Sequence, residues 1–415
     1  MQTINTDLSW KIWRYKRYVL AILGFFGFMN VYALRSNLSI AIVDMTQLKN
    51  ITLDNGTTVL KKEFDWDSQL QGFVLSSFFY GYIFTQIVGG FLAAKLGGTW
   101  VFSFGIASTS FFTLITPWVA KTNVYFFIVI RTIEGLCELS GAIGLLWFII
   151  WIIIVAETPS KDKRINPEER KYIVDAISTV KSDESIKVPW RRLLTSTAVM
   201  ANTLCLTCEG WGFYTLLTFL PQMIKSLLGF DLNKVGFLSA LPYLLMSIMV
   251  QVGGYAADFI LKRKYLNTTQ VRKLSIISGF SAQAIFILLA GYWVSTVSTL
   301  FCLVVAVGLG GLAVSGLSIN PLDIAPKFAS VILGINNTVA SLPGIVSPIL
   351  TGYLVTDPTN IYQWRVVFYI SAGTYLFGVI ISSVFTSGVK QSWADKKEIV
   401  VSGNHNKSYE PNESH

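Results

Sequence analysis

The chain has 415 residues, 52% of them hydrophobic and 14% charged. A soluble chain of this length carries roughly a quarter charged residues. Here the apolar residues also fall in long unbroken blocks, which excludes a soluble globular protein and a β-barrel and leaves an all-α polytopic membrane protein. The net charge is +9, but the Lys and Arg residues stand between the apolar blocks, so the excess reads as membrane topology rather than as a nucleic-acid surface.

Residues 1–17 are polar and basic and are expected on the cytoplasmic side. An N-terminal membrane half of about four spans follows over 18–156. Its first apolar run, 18–45, is longer than a leader peptide's core and lacks a small-residue cleavage site, so it reads as a retained anchor. Arg35 lies within it, about 25 Å along the helix from Tyr18. A guanidinium at that depth either snorkels to the headgroups or serves as an anion-binding charge in a polar pathway.

The loop 46–67 holds two glycosylation sequons, at Asn50 and Asn55. The charge rule puts this loop outside or in a lumen, where such sites are modified. Spans follow at 68–94 and 101–119. The run 124–155 then has no loop, and as one helix it would be about 48 Å long, beyond the ~30 Å hydrocarbon core. It carries Arg131, Glu134 and Glu138, whose spacing places them on one helix face. Two readings stand: a neutralised structural network, or a proton or ion relay.

Residues 157–197 are polar and basic, a cytoplasmic linker, with a short Asn-capped helix expected in NPEERKYIVDAI. The C-terminal half, 198–387, shows six spans, near 198–220, 235–260, 274–293, 299–320, 331–354 and 366–385. A cytoplasmic polar tail, 388–415, closes the chain. The total is about ten spans. Glu209, in TCEGWGFYTLL, is a charge within an apolar segment, either solvated at a helix end or buried.

The CxxC of Cys205 and Cys208 lies in an apolar segment and reads as core. Both histidines, His405 and His415, are in the tail, so any proton moved within the membrane must be carried by carboxylates. No nucleophile–base pair or metal cluster marks an enzyme, and no cofactor is expected.

Several stretches carry a resemblance: RSNLSIAIVDM, FDWDSQLQGFVLSSFFYGYIFTQIVGGF, IRTIEGLCE, WGFYTLLTFLPQM, LDIAPKFASVILGINNT and QWRVVFYISAG. Together they resemble the anion:cation symporter family of the major facilitator superfamily, which includes sialin, vesicular glutamate transporters and sodium-phosphate cotransporter-like proteins. The chain looks nearest to insect-type sialin-like members. The resemblance implies two helical halves, twelve spans, a central cavity and alternating access. It assigns Arg35 to the substrate's anionic group and Glu134 and Glu138, beside Arg131, to ion coupling. Tyr32, Phe79, Tyr214 and Asn336 match cavity-lining positions. The turn GGYAADFILKRKY, with Gly254, Asp258 and Arg263, is similar to the charged cytoplasmic latch of such transporters, and GGFLAAKLGG keeps its glycines without the acid.

Two departures stand out. After Glu138 the rest of the family's fourth span and all of its fifth have no counterpart, which gives about ten spans instead of twelve. Glu209 occupies a position that is Arg in vesicular glutamate transporters, and Leu75 one that is His, which argues against glutamate as substrate. The expectation is a monomeric, multi-pass symporter of small organic or inorganic anions such as acidic sugars, acidic amino acids or phosphate. It would be driven by H+ or Na+ in a lysosomal, vesicular or plasma membrane. The alternative is a transport-deficient truncated isoform.

Overall fold

The computed structural model describes residues 16–52, 58–96, 98–137, 142–156, 162, 164–178, 188–292 and 295–395. The first half holds α1 (Lys16–Met45), a hairpin of β1 (Leu48–Thr52) and β2 (Thr58–Lys62), α2 (Ser68–Leu96), α3 (Gly98–Ala120), α4 (Val124–Cys137) and α5 (Ala142–Ile154). Two short helices, α6 (Pro167–Ser178) and α7 (Trp190–Leu194), lie in the linker. The second half holds α8 (Thr197–Ser226), α9 (Leu232–Lys262), α10 (Thr268–Tyr292), α11 (Thr296–Ile324), α12 (Ala329–Ala340), α13 (Pro343–Leu354) and α14 (Ile361–Phe385).

Long apolar helices dominate because a bilayer offers the backbone no outside hydrogen-bond partners. Their starts are set by short polar side chains. Asp67 accepts the N–H of Leu70 at 2.7 Å before α2, Asn123 that of Tyr125 at 2.7 Å before α4, and Asn360 that of Tyr362 at 2.9 Å before α14. Asn267 and Gln270 cap α10 reciprocally, at 2.9 and 3.0 Å. Five helical stretches among the described residues are long and apolar enough to cross a membrane: Leu232–Lys262, Thr268–Tyr292, Thr296–Ile324, Pro326–Leu354 and Ile361–Phe385.

Two details differ from the sequence reading. The loop after α1 carries an antiparallel hairpin, with Asn50 opposite Leu60. Of the run 124–155, α4 and α5 are described, and the expectation of one continuous helix falls on residues 138–141, which lie outside the described residues. The span expected at 331–354 is divided into α12 and α13. Pro343 opens α13, where its missing N–H and fixed φ suit a first helical turn and not a helix interior.

Within the second half α11 packs on α9 and α10, while α14 packs on α8 and α10. In the first half α4 packs on α2 and α3, and α5 on α3 and α1. The halves meet where α2 lies along α12 and α13 and where α1 lies along α8 and α9. Glycines allow the closest approach. A Cβ on Gly72 would stand 2.6 Å from the Pro348 carbonyl oxygen, and one on Gly352 2.5 Å from that of Ser68.

The linker does more than connect. Asn166 caps α6 by accepting the N–H of Glu168 at 3.1 Å, as its sequence suggested. Glu169 is buried, and its carboxylate accepts the backbone N–H groups of Lys16 at 3.0 Å and Arg17 at 3.1 Å, capping α1 from a distant segment. Lys16 Nζ donates to the Ile154 carbonyl at 3.2 Å and lies 3.6 Å from Asp162. The start of α1, the end of α5 and the linker are thereby tied together.

Candidate functional site

In the first half, Arg131 and Glu134 stand one turn apart on α4. Arg131 Nη1 donates to Glu134 Oε2 at 2.6 Å, and Thr116 Oγ1 of α3 donates to Glu134 Oε1 at 2.9 Å. The guanidinium carbon is 5.9 Å from the centroid of the Phe78 ring on α2. The two charged side chains are buried, at 6% and 1% exposure, and each is the other's counter-charge. Two contacts press α4 onto α2. Thr132 Oγ1 donates to the Ser77 carbonyl at 3.2 Å, and a Cβ on Gly135 would collide with the Phe78 carbonyl oxygen. The third member of the expected face, Glu138, lies outside the described residues.

The seam between the halves is aromatic at its middle and amidic towards its ends. Phe79 on α2 meets Tyr214 on α8 edge to face, with ring centroids 4.8 Å apart. A Cβ on Gly344 of α13 would sit 2.6 Å from the Phe79 ring. Gln222 Nε2 donates to Gln71 Oε1 at 3.2 Å, and Asn337 Nδ2 donates to Gln86 Oε1 at 3.2 Å. Gln71 and Gln86 are about 22 Å apart along α2 at 1.5 Å per residue, so the α2 side of the seam is closed over most of a membrane's depth. Neither amide pair was legible beforehand, because nothing local tells a glutamine which distant glutamine it will meet.

Next to this seam lies a cavity of about 650 Å³ between α1, α8 and α9. Phe25 and Ser39 of α1, Phe213 and Leu217 of α8, and Ser239 and Tyr243 of α9 are among its walls. No described residue in its lining is charged. Arg35 precedes Ser39 by four residues on α1 and Tyr32 precedes it by seven, spacings that keep positions on one helix face. The side chains of Arg35 and Tyr32 are outside what the structure describes. Phe79 and Tyr214 lie in the seam, in an aromatic cluster that reaches Phe213, Leu217 and Tyr243 of the cavity wall.

Asn336, on α12, is buried and accepts the Thr203 hydroxyl at 2.6 Å, joining α12 to α8 within the second half. Glu209 is 5% exposed in the body of α8, which rules out the solvated helix end considered from sequence. Cys205 and Cys208 are free, buried thiols.

At the end of α9, Asp258 and Arg263 are exposed. Arg263 lies over the Phe259 ring, 5.5 Å from its centroid, and no ion pair joins it to Asp258 among the described residues. The glycine reading shifts by one position. A Cβ on Gly254 would meet open space, whereas one on Gly253 would stand 3.2 Å from Ser315 Cβ of α11. One residue turns a helix by about 100°, so adjacent glycines cannot share a face. The ion pair that ties these helix ends together is Arg272 of α10 with Asp323 of α11, Nε to Oδ2 at 2.7 Å, which the sequence reading missed. Of the sequons, Asn50 sits on β1 and Asn55 lies outside the described residues.

The profile of the Major Facilitator Superfamily matches residues 20–141, 139–348 and 204–403. Human sialin is 36% identical over 450 residues, covering 91% of this chain and 90% of that protein. Human vesicular glutamate transporter 2 is 34% identical over 445 residues, covering 92% of this chain and 76% of that protein.

The chain belongs to the major facilitator superfamily, in the anion:cation symporter family.

Solved structures agree on the superfamily's fold. A D-xylose–proton symporter superposes with a TM-score of 0.59 at 13% identity, covering 90% of this chain and 98% of its own. A bacterial homologue of the lysosomal transporter Spinster, inward-facing and occupied, gives 0.59 at 10% identity, covering 89% and 96%. This major facilitator protein is therefore a multi-pass membrane transporter and not an enzyme. Its alignment to the glutamate transporter runs over 445 positions yet takes in 92% of a 415-residue chain, so the relative carries tens of residues with no counterpart here. The superfamily matches also change over at 139–141, where the sequence departs from its family.

Proposed function

We propose that the chain is a secondary active symporter of small organic or inorganic anions, such as acidic sugars, acidic amino acids or phosphate, coupled to H+ or Na+ and working by alternating access. The observation that carries this reading is the position of Arg35. It belongs to α1, whose Phe25, Ser39 and Ile40 line a cavity with no charge among its described lining residues, and it precedes Ser39 by four positions. A cation within a membrane span is costly and calls for an anionic partner or a wet cavity. The relatives point the same way, since one is named for glutamate and the family includes sialin.

In this reading the substrate's negative group meets Arg35, and Arg131 with Glu134 forms the ion-responsive pair of the first half. Arrival of an anion nearby changes the charge balance around this pair. The host membrane is lysosomal, vesicular or plasma.

The test is uptake of labelled sialic acid, glutamate and phosphate into proteoliposomes under an imposed pH or Na+ gradient. Uptake by the parent chain that is lost in Arg35→Ala supports the reading. No uptake of any of the three by the parent favours the second reading, a transport-deficient truncated isoform. That reading is supported by the residues that the relatives have and this chain lacks, around 139–141.

A further inference from the structure

The first half pairs its buried acid with an arginine; the second half does not. Glu209, on α8, is 5% exposed in the interior of a membrane bundle. Its Oε1 accepts Gln283 Nε2 of α10 at 3.1 Å, and its Oε2 has no partner. The Gln283 Oε1 atom is also buried without a partner. Gly310 of α11 completes the wall, because a Cβ there would run into the Gln283 amide and stand 2.9 Å from Glu209 Oε1.

The other neighbours are uncharged as well. Cys208 precedes Glu209 on α8, and Tyr375 of α14 packs against α8 at Gly212, where a Cβ would run into its hydroxyl. No Lys, Arg or His pairs with Glu209 among the described residues. A bare carboxylate in such surroundings is prohibitively costly. Two oxygens that lack donors need a donor, and a proton on the carboxyl supplies one. Two or three oxygens are too few to replace the hydration shell of a metal cation.

Tyr243 of α9 lines the cavity, and its hydroxyl is buried without a partner. The Phe213 and Tyr243 rings are 5.6 Å apart on the same wall.

We infer that Glu209, with Gln283, is a proton-binding site of the second half, separate from Arg131 and Glu134. The occupancy of this site is independent of the transport reading; its part in coupling rests on that reading.

The experiment is infrared difference spectroscopy on the full chain in lipid nanodiscs across a pH titration. A carbonyl band of a protonated carboxylic acid is expected, lost reversibly at alkaline pH and absent in Glu209→Gln. Gln283→Leu keeps the band but shifts its position, which guards against a fold defect in the first variant. A band unchanged in Glu209→Gln overturns the assignment. So does loss of the band on adding Na+ at fixed pH, which makes the site a sodium site instead.

In proteoliposomes, Glu209→Gln is expected to keep substrate exchange across the membrane while losing pH-driven accumulation by at least tenfold. Undiminished accumulation in that variant overturns the coupling role. A parent chain that shows the band and yet transports nothing defeats the transport reading alone.

Discussion

Phe79 and Tyr214 come from different halves of the chain and meet edge to face at 4.8 Å, with Gly344 packed against the Phe79 ring. Their contact lies between the two amide pairs that close the α2 side of the seam. Phe79→Ala should cost on the order of 3–5 kcal/mol, as for other large buried aromatics. It is expected as a lower thermal midpoint in detergent, with Phe79→Leu in between.

The Arg131–Glu134 pair predicts a non-additive cycle. Removing either partner leaves an uncompensated buried charge, a loss of about 3–5 kcal/mol. The double variant Arg131→Met/Glu134→Leu should be more stable than either single variant. Thermal unfolding of the three proteins measures this, and additive losses would show that the two groups do not depend on each other.

Two helical glycines, Gly72 and Gly254, should behave differently. Gly72→Ala places a methyl 2.6 Å from a backbone oxygen of α13, so the α2–α13 seam must open. Gly254→Ala meets open space, and should be neutral or stabilising by about 0.5–1 kcal/mol through helix propensity. Melting curves of the two variants separate them.

Glu169→Ala removes the acceptor for the first two N–H groups of α1. The expected loss is about 1 kcal/mol, as for other helix caps. Amide exchange should quicken at Lys16 and Arg17 and leave the second half unchanged.

Asp357, in the loop between α13 and α14, is held below the usual carboxylate range by the Thr359 hydroxyl, at 2.6 Å, and by the Thr359 backbone N–H, at 3.0 Å. A lowered native pKa gives a contribution that is present above the unfolded carboxylate's pKa and is lost as pH falls through the lowered value. Thr359→Ala should raise the Asp357 midpoint, which carboxyl-selective NMR titration would read.

The helices of the second half were legible because apolar length alone defines a membrane span. Arg131 and Glu134 were legible as a pair because a separation of three on a helix is a local relation. The hairpin after α1 was missed although Asn55-Gly56 between two short runs is its usual signal. The sequons drew attention to the loop's location and away from its shape. The cap that Glu169 gives α1, the pairing of Asp323 with Arg272 and the packing at Gly253 rather than Gly254 each depend on a partner on another helix, whose position follows from tertiary packing. Glu209 showed its oddity in the sequence, but only the absence of a nearby base made it informative.

In α9 only 17% of the most apolar stretch is buried, against 50% in α11. The rest of that stretch faces the cavity or the bilayer, so its tilt should respond to hydrocarbon thickness more than that of the better-covered α11. Because α9 is also one wall of the cavity, a thicker or thinner host bilayer changes the width of that chamber directly.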